Sequence, residues 1–88
     1  MAVQKIWTQQ INATTLIIDA TFGFTQVSIL CGTGNTSILG SNVIGGISSN
    51  PVTISAGQVI TIGTTTSINI IDYLEINASG RTQIIGIT

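Results

Sequence analysis

Charged side chains are scarce in this sequence, which has two basic residues, three acidic residues and no histidine among 88. Soluble domains usually carry about a quarter charged residues. Little charge is therefore present to keep separate copies apart in water, and solubility as a free monomer is at risk. Two basic residues also neutralise too few phosphates to hold nucleic acid. We expect no nucleic-acid partner.

The lack of histidine and of a second cysteine removes the usual routes to catalysis. Without histidine, neither Ser–His–Asp nor Cys–His activation of a nucleophile is available, and the commonest transition-metal ligand is missing. Cys31 is the only cysteine, so it cannot form an intrachain disulfide or a zinc site. Cys31 falls on the same strand face as Val27 and Ile29, so we predict that it is a small, buried hydrophobic residue. We expect no enzyme and no catalytic, cofactor-binding or metal site; a small hydrolase has the least support.

The acidic residues leave two questions open. Asp72 and Glu75 are three positions apart and point to opposite faces of a straight strand, so an acid–base pair of the glycosidase kind would need a bend. Together with Asp19, this pair could bind a Ca²⁺ ion at a subunit junction, although no loop has the ligand spacing of a calcium motif. A straight strand would also bury Asp72. Either the chain bends at 71–73 and turns Asp72 outward, which we favour, or Asp72 meets Arg81 or backbone donors.

Long apolar runs are also missing. The first residues show no continuous apolar segment of the signal-peptide kind, and polar residues interrupt every stretch before the ~18–20 residues of a membrane helix. We expect a protein made in the cytoplasm, with no membrane partner.

β-Branched residues dominate what is present, since 37 of the 88 residues are Ile, Val or Thr. Such side chains lose rotamer freedom in helices and pack well on a pleated surface. Turn residues separate short apolar segments at a spacing typical of a β-sandwich. We predict one domain over 1–88, in which 1–12 form an N-terminal arm or an edge strand. Strands are predicted at 3–8, 14–22, 26–31, 36–40, 42–47, 51–55, 58–63, 67–71, 73–78 and 82–87.

Local signals refine this pattern around the single proline. Pro51 opens a predicted strand, where its missing N–H does least harm. Ala56-Gly57 then separates two apolar segments by two residues, which predicts a β-hairpin between 52–55 and 58–62.

The predicted strand faces are not cleanly divided into apolar and polar sides. Core positions are plain in two segments: Leu16, Ile18, Ala20 and Phe22 share one face, as do Ile68, Ile70, Leu74 and Ile76. Further apolar residues lie on the opposite faces, where a sheet in water should be polar. One lysine and one proline also protect few strand edges. We expect another subunit to cover a second face. The candidate contact residues are Trp7, Ile17, Leu30, Val59, Ile71 and Tyr73, of which Trp7 either caps the core or anchors a partner.

The segments 51–63 (PVTISAGQVITIG) and 68–80 (INIIDYLEINASG) resemble small, Ser/Thr/Ile/Gly-rich all-β virion proteins of tailed bacteriophages. The likeness is to capsid decoration, head-fibre-base and baseplate or tail-accessory proteins, and it covers most of the chain in texture. It implies a β-sandwich or jelly roll that forms trimers or other symmetric oligomers on a particle. No position matches a family motif, so no functional residue is carried over.

These observations favour an all-β protein with a single, jelly-roll-like sandwich of roughly 8–10 short antiparallel strands. The resemblance implies a structural or accessory component of a virus particle, located in the virion. It would self-associate, with a trimer favoured, and dock on other virion structural proteins without any cofactor. The alternative is a carbohydrate-binding module or adhesin tip, which usually needs exposed aromatic rings. Only Trp7, Phe22, Phe24 and Tyr73 are available for that role.

Overall fold

The computed structural model describes residues 4–40, 51–64, 66 and 69–88, which form eight β-strands and one turn of 3₁₀ helix. The strands are β1 (Ile6–Asn12), β2 (Thr15–Asp19), β3 (Gln26–Cys31), β4 (Thr36–Gly40), β5 (Val52–Ile54), β6 (Val59–Gly63), β7 (Tyr73–Ala78) and β8 (Arg81–Ile87), and the 3₁₀ turn is Ala20–Phe22. The predicted strand 42–47 lies outside the described residues, as do positions 67 and 68. The described remainder of predicted strand 67–71 is not in a strand.

Two antiparallel four-stranded sheets pack face to face. Sheet A has the order β1-β8-β3-β6 and sheet B the order β2-β7-β4-β5. The pairs β1–β8, β2–β7, β3–β6 and β4–β5 are nested, as if one long hairpin had been folded across two layers. This is the eight-stranded jelly roll, and it confirms the predicted all-β sandwich.

The core lies between the sheets because successive strand residues point to opposite faces. In β3 and β7 every second side chain is buried. Trp7, Leu16, Phe22, Ile60, Ile62 and Ile71 pack against the core from its margin. The buried apolar residues are Ile11, Ile18, Phe24, Val27, Ile29, Cys31, Ile38, Ile54, Leu74, Ile76, Ala78 and Ile84. The prediction that Cys31 is a buried small hydrophobe is confirmed.

Two buried threonines connect the sheets through their side chains. Thr36 of sheet B and Thr82 of sheet A have no solvent exposure, and their Oγ1 atoms are 2.8 Å apart. The Sγ atom of Cys31 lies 3.2 Å from Thr36 Oγ1. A hydroxyl buried in an apolar core needs a hydrogen-bond partner, and here the two threonine hydroxyls are partners of one another.

β2 is shorter than predicted because Asp19 ends it. The Asp19 carboxylate accepts hydrogen bonds from the backbone N–H of Thr21 at 3.0 Å and from the Thr21 hydroxyl. Such local bonds compete with strand pairing. The chain turns through the 3₁₀ segment instead of continuing to residue 22, and Gly23 closes that segment with a φ of 70°.

The predicted hairpin at Ala56-Gly57 is wrong, although the turn itself is present. Gln58 N–H donates to Ser55 C=O at 3.0 Å, and Gly57 has a φ of 86°, as the third residue of a type II turn requires. The flanking strands then separate, since β5 pairs with β4 and β6 pairs with β3. The turn carries the chain from sheet B to sheet A. Pro51 does immediately precede β5, as predicted.

The segment before β7 settles the position of Asp72. β7 begins only at Tyr73, which pairs with Asp19, and Asp72 is exposed just ahead of it. The predicted outward position of Asp72 is therefore confirmed. The prediction of Ile70 as a core residue is wrong, because 48% of its surface is exposed. Ile68, predicted on the same face, lies outside the described residues.

Candidate interaction surface

Three aromatic rings close one end of the sandwich. Trp7 packs on Phe22 with centroids 5.6 Å apart in an edge-to-face arrangement and on Phe24 at 5.5 Å, and the two phenylalanines are 5.1 Å apart. Gly86 pairs with Trp7 across β1 and β8, and a Cβ atom on Gly86 would lie 2.5 Å from the Phe24 ring. Half-buried Trp7 thus caps the core. A further contact between Trp7 and a partner stays a prediction.

The outer side of sheet A is a continuous surface of in-register side chains, which we call the sheet A face. Its rows run across all four strands and mix isoleucine, leucine and valine with amides and hydroxyls. From β1 to β6 they are Ile6, Ile87, Gln26 and Gly63; Thr8, Ile85, Ser28 and Thr61; and Gln10, Gln83, Leu30 and Val59.

The sheet A face has no ionisable group within these rows, and Arg81 lies at its end. Ile6 and Val59 are 69% and 61% exposed. Its polar groups partly satisfy one another, since Gln83 Nε2 donates to Gln10 Oε1 at 3.3 Å. Between β1, β8 and β3 these side chains leave a hollow of about 400 Å³. A broad, uncharged and partly apolar face is typical of a protein contact surface.

The outer side of sheet B differs because it carries a hydrogen-bonded polar strip along β7. Tyr73 Oη donates to Glu75 Oε2 at 3.1 Å, and Asn77 Nδ2 donates to Glu75 Oε1 at 3.2 Å. Thr15 Oγ1 adds a third side-chain hydrogen bond to this polar strip by donating to Asn77 Oδ1. The bond to Glu75 raises the pKa of Tyr73, because the neutral phenol is the donor and the adjacent carboxylate opposes a second negative charge.

Asp19 lies beside this polar strip, opposite Tyr73 in the β2–β7 register. The hydroxyl and then the backbone N–H of Thr21 lower the pKa of its carboxyl by donating to the charged form.

Within the described ranges, no three His, Cys, Asp or Glu side chains converge as metal ligands would. No helix in that part of the chain is long and apolar enough to cross a membrane.

The six candidate contact residues fall in four separate places. Leu30 and Val59 are neighbours on the sheet A face. Ile17 and Tyr73 lie on the outer side of sheet B, where Ile17 is 48% exposed. Ile71 packs against the core, and its N–H donates to Phe24 C=O at 2.7 Å. Trp7 belongs to the cluster that it forms with Phe22 and Phe24, which we call the aromatic cap.

The sequence prediction missed three isoleucines of the sheet A face: Ile6, Ile85 and Ile87. The signal was present in β8, where the adjacent pair Ile84-Ile85 must place one side chain on each side of the sheet. Ile84 is 1% exposed, so Ile85 is the outward one.

Comparison of the chain with protein-family models, with curated proteins and with solved structures gave no match. Jelly rolls serve unrelated functions, including those of viral capsids and lectins. The surfaces of the chain itself are therefore the remaining indication of its function.

Proposed function

We propose that this protein is a non-enzymatic structural or accessory component of a virus particle, of the capsid-decoration or fibre- and tail-associated kind. It acts by self-association, for which the resemblance to phage virion proteins favours three copies, and by docking on a protein lattice. The observation that carries the proposal is the sheet A face, which spans four strands without an ionisable side chain in its rows.

The sheet A face suits adhesion because covering it removes apolar surface from water, which is worth roughly 25 cal/mol per Å². Its amides and hydroxyls bond one another or a partner without the desolvation cost of a charge. Adhesion needs no reactive group, and the chain has no histidine.

The assignment to a particle has two further supports. One is the resemblance of residues 51–63 and 68–80 to small phage virion proteins. The other is the jelly roll itself, a fold that capsid proteins use repeatedly, although a fold alone does not fix a function.

The direct test is the protein content of purified particles. Mass spectrometry and immunogold labelling of gradient-purified particles from cells that make this protein should find it in many copies on the particle. Recovery only in the particle-free fraction would contradict the proposal.

A charge placed on the sheet A face tests the docking surface. Leu30→Lys should reduce binding of the purified protein to particles that lack it by at least tenfold, because a desolvated lysine has no partner there. Thr53→Lys is the matched control, since Thr53 lies on the outer side of sheet B and is exposed. Equal binding by both variants would exclude the sheet A face.

A carbohydrate-binding protein is the second candidate, and the polar strip of sheet B favours it. Sugar sites combine an aromatic ring with carboxylate and amide groups, as Tyr73, Glu75 and Asn77 do here. Glycan-array binding that Tyr73→Ala abolishes would favour this function. An array without hits, together with particle binding, would exclude it.

A further inference from the structure

β1 is the least protected of the four strand edges in the described sandwich. Natural proteins shield edges with charges, proline, bulges or short strands. β2 ends in Asp19, β5 has three residues after Pro51, and β6 has five residues and ends at Gly63 with a φ of 83°. β1 has seven residues without charge or proline, and its register with β8 is unbroken from end to end.

The backbone of β1 presents a regular set of groups at this edge. Lys5 C=O accepts from Thr88 N–H at 3.0 Å, and Ala13 N–H donates to Gly80 C=O at 3.0 Å, so odd-numbered residues turn their backbone groups toward β8. Alternation in an antiparallel pair then turns the N–H and C=O groups of even-numbered residues outward. These residues are Ile6, Thr8, Gln10 and Asn12.

We propose that β1 pairs antiparallel with β1 of a second copy, about a two-fold axis at Gln9. This register uses the whole strand, with Ile6 opposite Asn12 and Thr8 opposite Gln10. Each of these is an outward-turned residue facing another, which is the arrangement that closes a backbone hydrogen-bonded pair. No other antiparallel register of β1 with itself pairs all seven residues.

The side chains favour a second copy as the occupant of this edge. On the inner side, Trp7 meets Ile11 of the second copy, a favourable aromatic and β-branched pair. Gln9 meets Gln9, and Lys5 lies opposite Ala13 instead of another lysine. No like charges oppose one another anywhere along the contact.

Pairing in this way also extends the proposed docking surface. The two sheets A become one eight-stranded sheet, and the two sheet A faces become one continuous surface. This inference names the contact behind the self-association in the proposed function and rests on it. A single strand pair buries less than the 1,200–2,000 Å² of a standard interface, so the contact should be concentration-dependent.

The number of copies separates this inference from the proposed function. Sedimentation velocity of the full chain over a range of concentrations should show an even number of protomers: two, or six if a threefold contact lies elsewhere. A species of three would overturn the β1 pairing and leave self-association intact. A monomer at every concentration would contradict both.

A charge swap at Gln9 tests the register. Gln9 is exposed, and its two copies form a non-hydrogen-bonded pair, in which side chains lie close together. Gln9→Lys and Gln9→Glu should each weaken the pairing by about tenfold or more through like charges at the axis. Mixing the two variants should restore the assembly with an even number of protomers, because lysine then faces glutamate at the axis. Unchanged association of each variant alone, or no recovery on mixing, would overturn the register.

A proline pair tests the edge independently of charge. Gln10→Pro removes an outward N–H and no backbone bond to β8, and the side-chain bond from Gln83 that it also removes is exposed. It should therefore abolish pairing while the monomer stays folded, as judged by circular dichroism. Thr61→Pro is the control at the opposite edge of sheet A: Cys31 N–H donates to Gln58 C=O, so residues 59, 61 and 63 of β6 turn outward. Loss of association with Thr61→Pro but not with Gln10→Pro would place the contact on β6 and overturn the proposal.

Discussion

At the scale of single residues, the hydrogen bond between Thr36 and Thr82 shows how two polar groups are accommodated in an apolar core. Both side chains are fully buried, and each comes from a different sheet. The bond therefore fixes the relative position of the two layers as well as satisfying both hydroxyls. Neither threonine stands out in a sequence so rich in threonine, because their pairing depends on strands distant in the chain.

Removing one hydroxyl of this pair should cost more than removing both. Thr36→Val leaves the Thr82 hydroxyl buried without this partner, which should lower the free energy of unfolding by about 1–3 kcal/mol. The double variant Thr36→Val/Thr82→Val replaces both hydroxyls by methyl groups of similar shape and should lie within about 1 kcal/mol of the wild type. Urea unfolding followed by Trp7 fluorescence measures both, and additive losses would contradict a mutual bond.

Tyr73 offers a second residue-scale test, because it is the only tyrosine. Its pKa is raised above 10.0 by the bond to Glu75, so absorbance at alkaline pH should report an ionisation later than that of the unfolded chain. The stabilisation from this bond is present below the unfolded pKa and is lost as pH rises through the folded pKa. Glu75→Gln should move the titration back toward 10.0. An unchanged titration in that variant would contradict the role of Glu75.

At the scale of elements, the sequence predicted strands well where alternation is strict. β3 and β4 have the predicted bounds 26–31 and 36–40, and β7 has 73–78. The errors have local causes that periodicity does not encode, such as the Asp19 bonds that end β2. The Ala56-Gly57 turn is a different kind of error, since a turn sequence carries no information on which distant strand each flank will join. The sheet A face was only partly predicted, because its rows depend on the same distant pairings.

Gly86 should be indispensable to the aromatic cap. In Gly86→Ala the new Cβ atom would overlap the Phe24 ring, which lies 2.5 Å away. We expect a loss of about 1–3 kcal/mol in the free energy of unfolding, as for overpacked cores, and a shift in Trp7 emission. Gly40→Ala is the control, because no atom of the described residues lies within 4 Å of the Cβ position of that strand glycine. Similar losses in both variants would contradict a packing role for Gly86.

At the scale of the whole molecule, the scarcity of charge predicts how assembly responds to salt. Screening acts on charges, and neither β1 nor the rows of the sheet A face contain any. Raising the ionic strength from about 0.05 to about 0.5 M should change the dissociation constant by less than roughly twofold. Sulfate should strengthen association, because it favours burial of apolar surface. Tenfold weakening in sodium chloride, measured by sedimentation, would point to an ionic interface instead.

The nested pairing of strands also sets an order for folding. Thr36 pairs with Ile54, whereas Ile6 must find Ile87, so loop-closure entropy favours joining the middle strands before the outermost ones. Refolding should therefore be slow. β1 should pair last, and until it does the edge of β8 to which it binds is open. In crowded solution that opening is a place where β1 from a neighbouring chain can insert, so exchange of strands between copies is the characteristic hazard of this topology.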